Sequence, residues 1–276
     1  MTIELKEVWK GFNDTHVLKD VSLKIREGEF VVIAGENGSG KSTLLKIISG
    51  LLIPDKGEVR VFDYEMVREW KKASKILGVV LANERSLYWK LTGMENLEVF
   101  AGLYGVKNWR EKAEYLLKRL GLEDAKNKLV EEYSTGMRKK LLLAKALIHD
   151  PRVLLLDEVL NGLDPRAVTE VISFLRELNS RGVTIVLVSH ILHGLPENAR
   201  LIVMREGRII ADDRLSRFSF DTLKITATIN GKEVEVIARE EELDEKLREL
   251  IKRNAQNIRV ERDDLYSVLR RLLNEP

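Results

Sequence analysis

"FVVIAGENGSGKSTLLKIISGLL", residues 30–52, decides the fold. Five consecutive apolar residues open it, a run of strand length that suits a buried position better than a surface. A glycine-rich loop follows, and then a helix beginning near Lys41. The loop itself, "GENGSGKS" at residues 35–42, fits the pattern G-x-x-x-x-G-K-[ST]. Glycines let backbone N–H groups curl around phosphate oxygens, and the N-terminus of the next helix adds the positive end of its dipole. Lys41 would then reach the β- and γ-phosphates, and the Ser42 hydroxyl would ligate Mg²⁺. A chance glycine turn is the competing reading. The strand before it and the helix after it weigh against that.

The surrounding sequence supplies the rest of an α/β core. Residues 2–8 and 17–25 alternate as half-exposed strands, and "GEVRVF" and "ILGVVL" are further strand runs. From about residue 84 to 150 the pattern turns helical. In "NWREKAEYLLKRLG", Asn108 stands as an N-cap, Glu111 three residues on completes a capping box, and Gly121 stops the helix. "RKKLLLAKALIHDP" is another helix, closed by Asp150 and Pro151. "VLLLDE" and "TIVLVSH" are too apolar for a surface and fit central strands covered on both faces. Asp164 and Pro165 start the helix between them, as a cap with proline at the first helical position. Beyond about residue 216 a hairpin turning at Asn230-Gly231, an amphipathic helix at 240–254, the strand "NIRVE" and a helix near 263–274 form a small α+β appendage.

Two carboxylates end "VLLLDE". At the end of a buried strand beside a phosphate loop, Asp157 is placed to hold Mg²⁺, and the adjacent Glu158 to polarise an attacking water. His190 follows "TIVLVS" and so reaches the same rim of the sheet, where open α/β folds bind ligands. An isolated Asp-Glu pair or a lone histidine would ordinarily be structural. Their meeting at one rim with the phosphate loop is what argues otherwise.

Composition narrows the classes. The chain has 276 residues, 44% hydrophobic and 33% charged, enough for one large α/β domain with a small addition. Its 46 basic and 44 acidic residues leave a net charge of +2, which offers no electrostatic argument for binding nucleic acid. Cysteine is absent, which excludes disulfides and thiolate metal sites. No signal-peptide pattern and no membrane-spanning apolar run is found, so the expectation is a soluble cytoplasmic protein whose membrane role comes through a partner.

With these motifs in this order across about residues 1–215, the sequence resembles the ATP-binding subunits of ABC transporters. That resemblance implies a P-loop NTPase core with an antiparallel β region and a helical subdomain, using ATP and Mg²⁺. The phosphate loop is then Gly35, Asn37, Gly38, Ser39, Gly40, Lys41, Ser42 and Thr43, with Asp157 on the metal, Glu158 as catalytic base and His190 as the switch histidine. "NGLDP" becomes the D-loop, with Asp164 at a dimer interface. "VWKGF" is similar to the adenine-stacking segment, with Phe12 as the aromatic and Val17 beside it; Trp9 is the other aromatic in reach. Stacking of that kind is worth about 1–3 kcal/mol per base.

Departures from the family pattern stand out at the glutamine loop, at Val159-Leu160, where the family commonly has Pro-Thr, and at the signature turn. The only glutamine is Gln256, so the family's glutamine loop has none; Asn83, or in another alignment Ala82, takes the metal-contacting place. Leu87, Tyr88 and Trp89 follow, either as a docking surface for a membrane subunit or as core of the helical subdomain. The signature turn reads "YSTGM", keeping Ser134 and Gly136 but carrying Thr135 and Met137. Such a turn resembles those of export-type ATPases with a separate permease. It would serve ATP only across a head-to-tail pair, so the expected partners are a second ATPase subunit, identical or not, and an integral membrane permease. An ABC ATPase acting on DNA or ribosomes and a nucleotide-binding module without hydrolysis are the alternatives.

Overall fold

The computed structural model describes residues 2–81, 86–218, 222–229 and 231–262. Two compact units divide the chain, Met1–Leu215 and Ser216–Pro276.

In the first unit, β1 (Ile3–Phe12) and β2 (Thr15–Ile25) form a hairpin, and β3 (Phe30–Gly35) leads through the glycine loop into α1 (Lys41–Ile48). Next come β4 (Lys56–Val61), β5 (Tyr64–Glu65), α2 (Met66–Ala73) and β6 (Leu77–Val80). The helical stretch holds α3 (Gly93–Tyr104), α4 (Trp109–Arg119) and α5 (Thr135–Leu147). Then β7 (Val153–Asp157), α6 (Pro165–Ser180), β8 (Thr184–Val188) and a hairpin of β9 (Arg200–Arg205) and β10 (Arg208–Arg214) complete it.

One sheet has the order β2-β1-β4-β5 and is antiparallel throughout. The other runs β10-β9-β3-β8-β7-β6, parallel except for the β9–β10 edge pair. β3, β7 and β8 are buried at every residue, which is why their sequences are near-continuous apolar runs rather than alternations. Between the sheets lies α1. Leu44, Leu45, Ile47 and Ile48 share one core with Ile3, Leu5 and Ile25 of the antiparallel sheet and with Ile33, Leu155 and Val186 of the parallel one. A helix gripped from both sides holds its N-terminus, and hence the glycine loop, in a fixed place.

Capping differs from the expectation at one helix. Asn108 precedes α4, but its side chain makes no capping bond there; its backbone, at φ −95° and ψ 43°, departs from the extended form an N-cap uses. The capping box sits instead at α3. There Thr92 accepts from the Glu95 N–H and the Glu95 carboxylate accepts from the Thr92 N–H. Asp164 caps α6 as expected, accepting from Ala167 N at 2.9 Å with Pro165 as the first helical residue.

Lys145 of α5 is a partly buried charge. Its ammonium donates to Ser86 Oγ at 2.8 Å and lies 4.5 Å from the centre of the Phe100 ring. Burial pushes its pKa down to about 8. An ammonium whose pKa falls on folding destabilises the fold fully below the folded value, and the penalty disappears as pH rises toward the unfolded one, about 10.4. Lys145→Met is therefore expected to stabilise the protein by about 1–3 kcal/mol at pH 7, and by much less near pH 10. Denaturant unfolding of both proteins at the two pH values checks this; an equal difference at both would contradict it.

The second unit is a small α+β fold. β11 (Thr222–Ile229) and β12 (Lys232–Arg239) form a hairpin with Ile229 opposite Lys232, and Gly231 turns at φ 75°. α7 (Leu243–Lys252) and β13 (Gln256–Arg262) follow, giving a sheet of order β12-β11-β13. Ile225, Ala227, Ala238 and Leu250 form its core. Asn230 and the helix expected near 263–274 lie outside the described residues.

Candidate active site

Close backbone approach explains the glycines at each end of the loop. A Cβ on Gly35 would lie 2.1 Å from the carbonyl oxygen of Met204, and one on Gly40 would lie 2.8 Å from that of Val17. Gly40 also takes φ 102°, which side chains rarely allow, as it caps α1. Between them the chain curls into a recess of about 220 Å³. It is lined by Asn37, Gly38, Lys41, Ser42, Thr43 and, from elsewhere in the chain, Val17 and Glu158.

Lys41 is almost fully buried and braces the loop, its ammonium donating to the carbonyls of Gly35 at 2.6 Å and Glu36 at 2.8 Å. Burial pushes its pKa down, while the carboxylates of Glu158, Asp157 and Glu36 act the other way. The buried Ser39 hydroxyl has no hydrogen-bond partner among the described residues. A buried hydroxyl without a partner is costly, and a phosphate oxygen in the loop is the kind of group that would satisfy it.

Asp157 ends β7 and is 2% exposed. Ser42 Oγ donates to its Oδ1 at 3.0 Å. Burial raises the Asp157 pKa above the usual carboxylate range, and the negative charge of Glu158 adds to this, while the Ser42 bond opposes it. A hydroxyl and a buried carboxylate beside a phosphate loop make an all-oxygen donor set of the kind Mg²⁺ takes, completed by substrate phosphates and water.

Glu158 follows in a left-handed conformation, φ 51°. Its N–H donates to Val188 O at 3.0 Å, joining it to the end of β8. From that strand end the chain reaches His190, whose Nε2 lies 3.9 Å from Glu158 Oε1. Burial lowers the His190 pKa, the nearby Lys41 charge lowers it further, and Glu158 counteracts. With its pKa below the ordinary value of about 6.5, the imidazole is mainly neutral at pH 7.

The structure thus gathers the loop, Lys41, Ser42, Asp157, Glu158 and His190 at one rim, with Val17 at the recess wall. Phe12, at the tip of the β1–β2 hairpin, is 48% exposed, with the Lys10 ammonium 5.5 Å from its ring centre. Trp9 is engaged edge-on with His16. Ser134 caps α5, accepting from Met137 N at 3.2 Å, so Thr135, Gly136 and Met137 form the helix's first turn. None of these four lines the recess of their own chain. Asn83, like Ala82, lies outside the described residues. Of the aromatic cluster, Leu87 is core while Tyr88 and Trp89 are about half exposed. Two contacting residues were not foreseen from sequence: Asn161, which donates to Glu158 Oε2 at 3.1 Å, and Lys139, whose ammonium donates to the carbonyls of Glu158 and Asn161. A larger recess of about 490 Å³, around Lys112, Phe174 and Arg181, contains none of the phosphate-loop residues.

Fold and site together define an ATP-binding P-loop hydrolase. The model of the ABC transporter family matches residues 18–161. The chain is 38% identical to the ABC transporter ATP-binding protein NatA of Bacillus subtilis (strain 168), over 75% of this chain and 87% of that one. It is 37% identical to the daunorubicin resistance ATP-binding protein DrrA3 of Streptomyces coeruleorubidus, over 84% of this chain and 72% of the relative. Among solved structures, the dimeric post-hydrolysis state of the ATP-binding cassette MJ0796, bound to ADP and Pi, aligns with a TM-score of 0.71. That alignment has 30% identity and covers 77% of this chain and 98% of the cassette. The chain belongs to the ABC transporter family, as an ATP-binding, ATP-hydrolysing subunit.

Proposed function

We propose that this subunit hydrolyses ATP in a head-to-tail pair and so powers export through a separately encoded membrane permease. The observation that carries the catalytic part is the convergence of Lys41, the Ser42–Asp157 bond and the Glu158–His190 contact on one recess. Lys41 and the loop N–H groups hold the β- and γ-phosphates. Ser42 and Asp157 would hold Mg²⁺, which supplies charge neutralisation on the phosphate oxygens. Glu158 accepts the proton of the attacking water, and neutral His190 donates a hydrogen bond that orients the γ-phosphate. Phe12 stacks on the base, with Val17 beside it. In the pair, Ser134, Thr135, Gly136 and Met137 face the partner's nucleotide, where the Ser134 hydroxyl proton remains free to donate while its oxygen caps α5. Asp164 contributes at the same interface, and Asn83 takes the glutamine-loop place. Residues 1–215 form the ATPase domain, with its helical subdomain at about 84–150, and residues 216–276 a separate small domain.

Export is supported by the names of relatives that serve drug resistance. A peripheral place on the cytoplasmic membrane face follows if a permease is the partner; no described helix is long and apolar enough to cross a membrane. Exposed Tyr88 stands beside Phe100, which lines a cleft of about 300 Å³ with Leu51, Trp70 and Tyr104, and exposed Trp89 lies under the Arg138 guanidinium. Exposed aromatics around a cleft suit a protein partner. Capture of the tagged chain from detergent-extracted source membranes tests this. Recovery of a multi-span protein, lost with Trp89→Asp, is expected; recovery of ribosomes or DNA instead would overturn the reading.

A further inference from the structure

Glu158 is fixed at three points. Its N–H is held by Val188 O at 3.0 Å, its Oε2 by Asn161 Nδ2 at 3.1 Å, and its carbonyl by the Asn161 N–H at 3.1 Å, which closes the turn, and by the Lys139 ammonium at 3.4 Å. The same ammonium also donates to the Asn161 carbonyl, so one cation ties together both ends of the 158–161 turn. A left-handed glutamate is strained and persists only where its surroundings over-determine it. Here they do so by aiming the carboxylate: with Oε2 occupied by Asn161, Oε1 is left toward His190. Lys139 belongs to α5, which Ser134 caps and whose first turn carries Gly136, and a Cβ on Gly136 would lie 3.4 Å from Leu163, two residues beyond Asn161.

We propose that Asn161 and Lys139 are positioning residues for hydrolysis, Asn161 orienting the Glu158 carboxylate and Lys139 anchoring its loop to α5. The proposal rests on Glu158 as the base. It adds a route within one chain from the helix end that meets the partner's nucleotide to the carboxylate that acts on its own. Neither residue lines the recess, so their loss is felt in turnover and not in nucleotide affinity.

Steady-state ATPase kinetics and fluorescent-ATP binding on the full-length chain test it. Losing a hydrogen bond to a charged group predicts that Asn161→Ala lowers kcat about ten-fold with KM for ATP changed less than about two-fold. Asn161→Asp, nearly the same shape, replaces the donor with a second carboxylate and should be slower than the alanine variant; Asn161→Gln, which keeps the amide, should recover part of the loss. Lys139→Met should act in the same direction. In a Glu158→Gln background, Asn161→Ala should add less than about two-fold, because the two act as one unit. Unchanged kcat in Asn161→Ala or Asn161→Asp would overturn the proposal, as would a full ten-fold further loss in the Glu158→Gln background. Wild-type turnover in Glu158→Gln itself would overturn the base assignment instead, so the two failures are distinct.

Discussion

Glu158→Gln should lower ATP turnover about 10²–10⁴-fold, the range lost when a general base is removed, while nucleotide binding persists. Glutamine keeps the length and the oxygen that Asn161 contacts but cannot take a proton from water. The glycine loop, Lys41 and the Ser42–Asp157 bond are untouched. Hydrolysis would stop with ATP in place, and the closed pair would accumulate. Rapid-quench measurement of a single turnover separates this from slow product release. Wild-type turnover would remove Glu158 from its role.

Ser134→Arg should abolish ATP-dependent pairing and lower turnover about 10²–10³-fold, the cost of removing one anion-stabilising donor from a catalytic site. The fold should survive. Loss of an N-cap costs about 0.5–2 kcal/mol, and α5 remains anchored through buried Leu141, Leu142 and Leu143 and through the Lys139 contacts. Circular dichroism melting then shows a folded protein, and nucleotide titration shows the chain's own phosphate loop still binding. Retained turnover would return "YSTGM" to a plain helix-joining turn.

Where local chemistry is self-sufficient, the sequence is legible. A glycine loop between an apolar strand and a helix has one physical solution, and Asp164-Pro165 caps a helix wherever it is placed. "VLLLDE" and "TIVLVSH" announce central strands because both faces are covered. Competition between equivalent local signals is harder to read. "TGME" and "NWRE" both carry the capping-box spacing, and only the backbone before α4 decides against Asn108. The β9–β10 hairpin, "RLIVMR" and "RIIADDR" joined at Glu206-Gly207, carries strand residues and a turn glycine but follows an irregular segment and was not foreseen. Asn161 opens the "NGLDP" motif, but nothing in that motif points to its contact with Glu158, and Lys139 has no motif or periodic signal. Lys139 reaches Glu158 from 19 positions away in the chain, and the left-handed glutamate that makes this geometry is a consequence of tertiary packing.

The pair itself is the central claim, and the most direct measurement is the solution mass of the Glu158→Gln protein by light scattering, with and without Mg²⁺ and ATP. Twice the chain mass with ATP, and a return to the single chain when Ser134→Arg is added, is the result the account predicts. A mass indifferent to ATP, or a pair that survives Ser134→Arg, would contradict it.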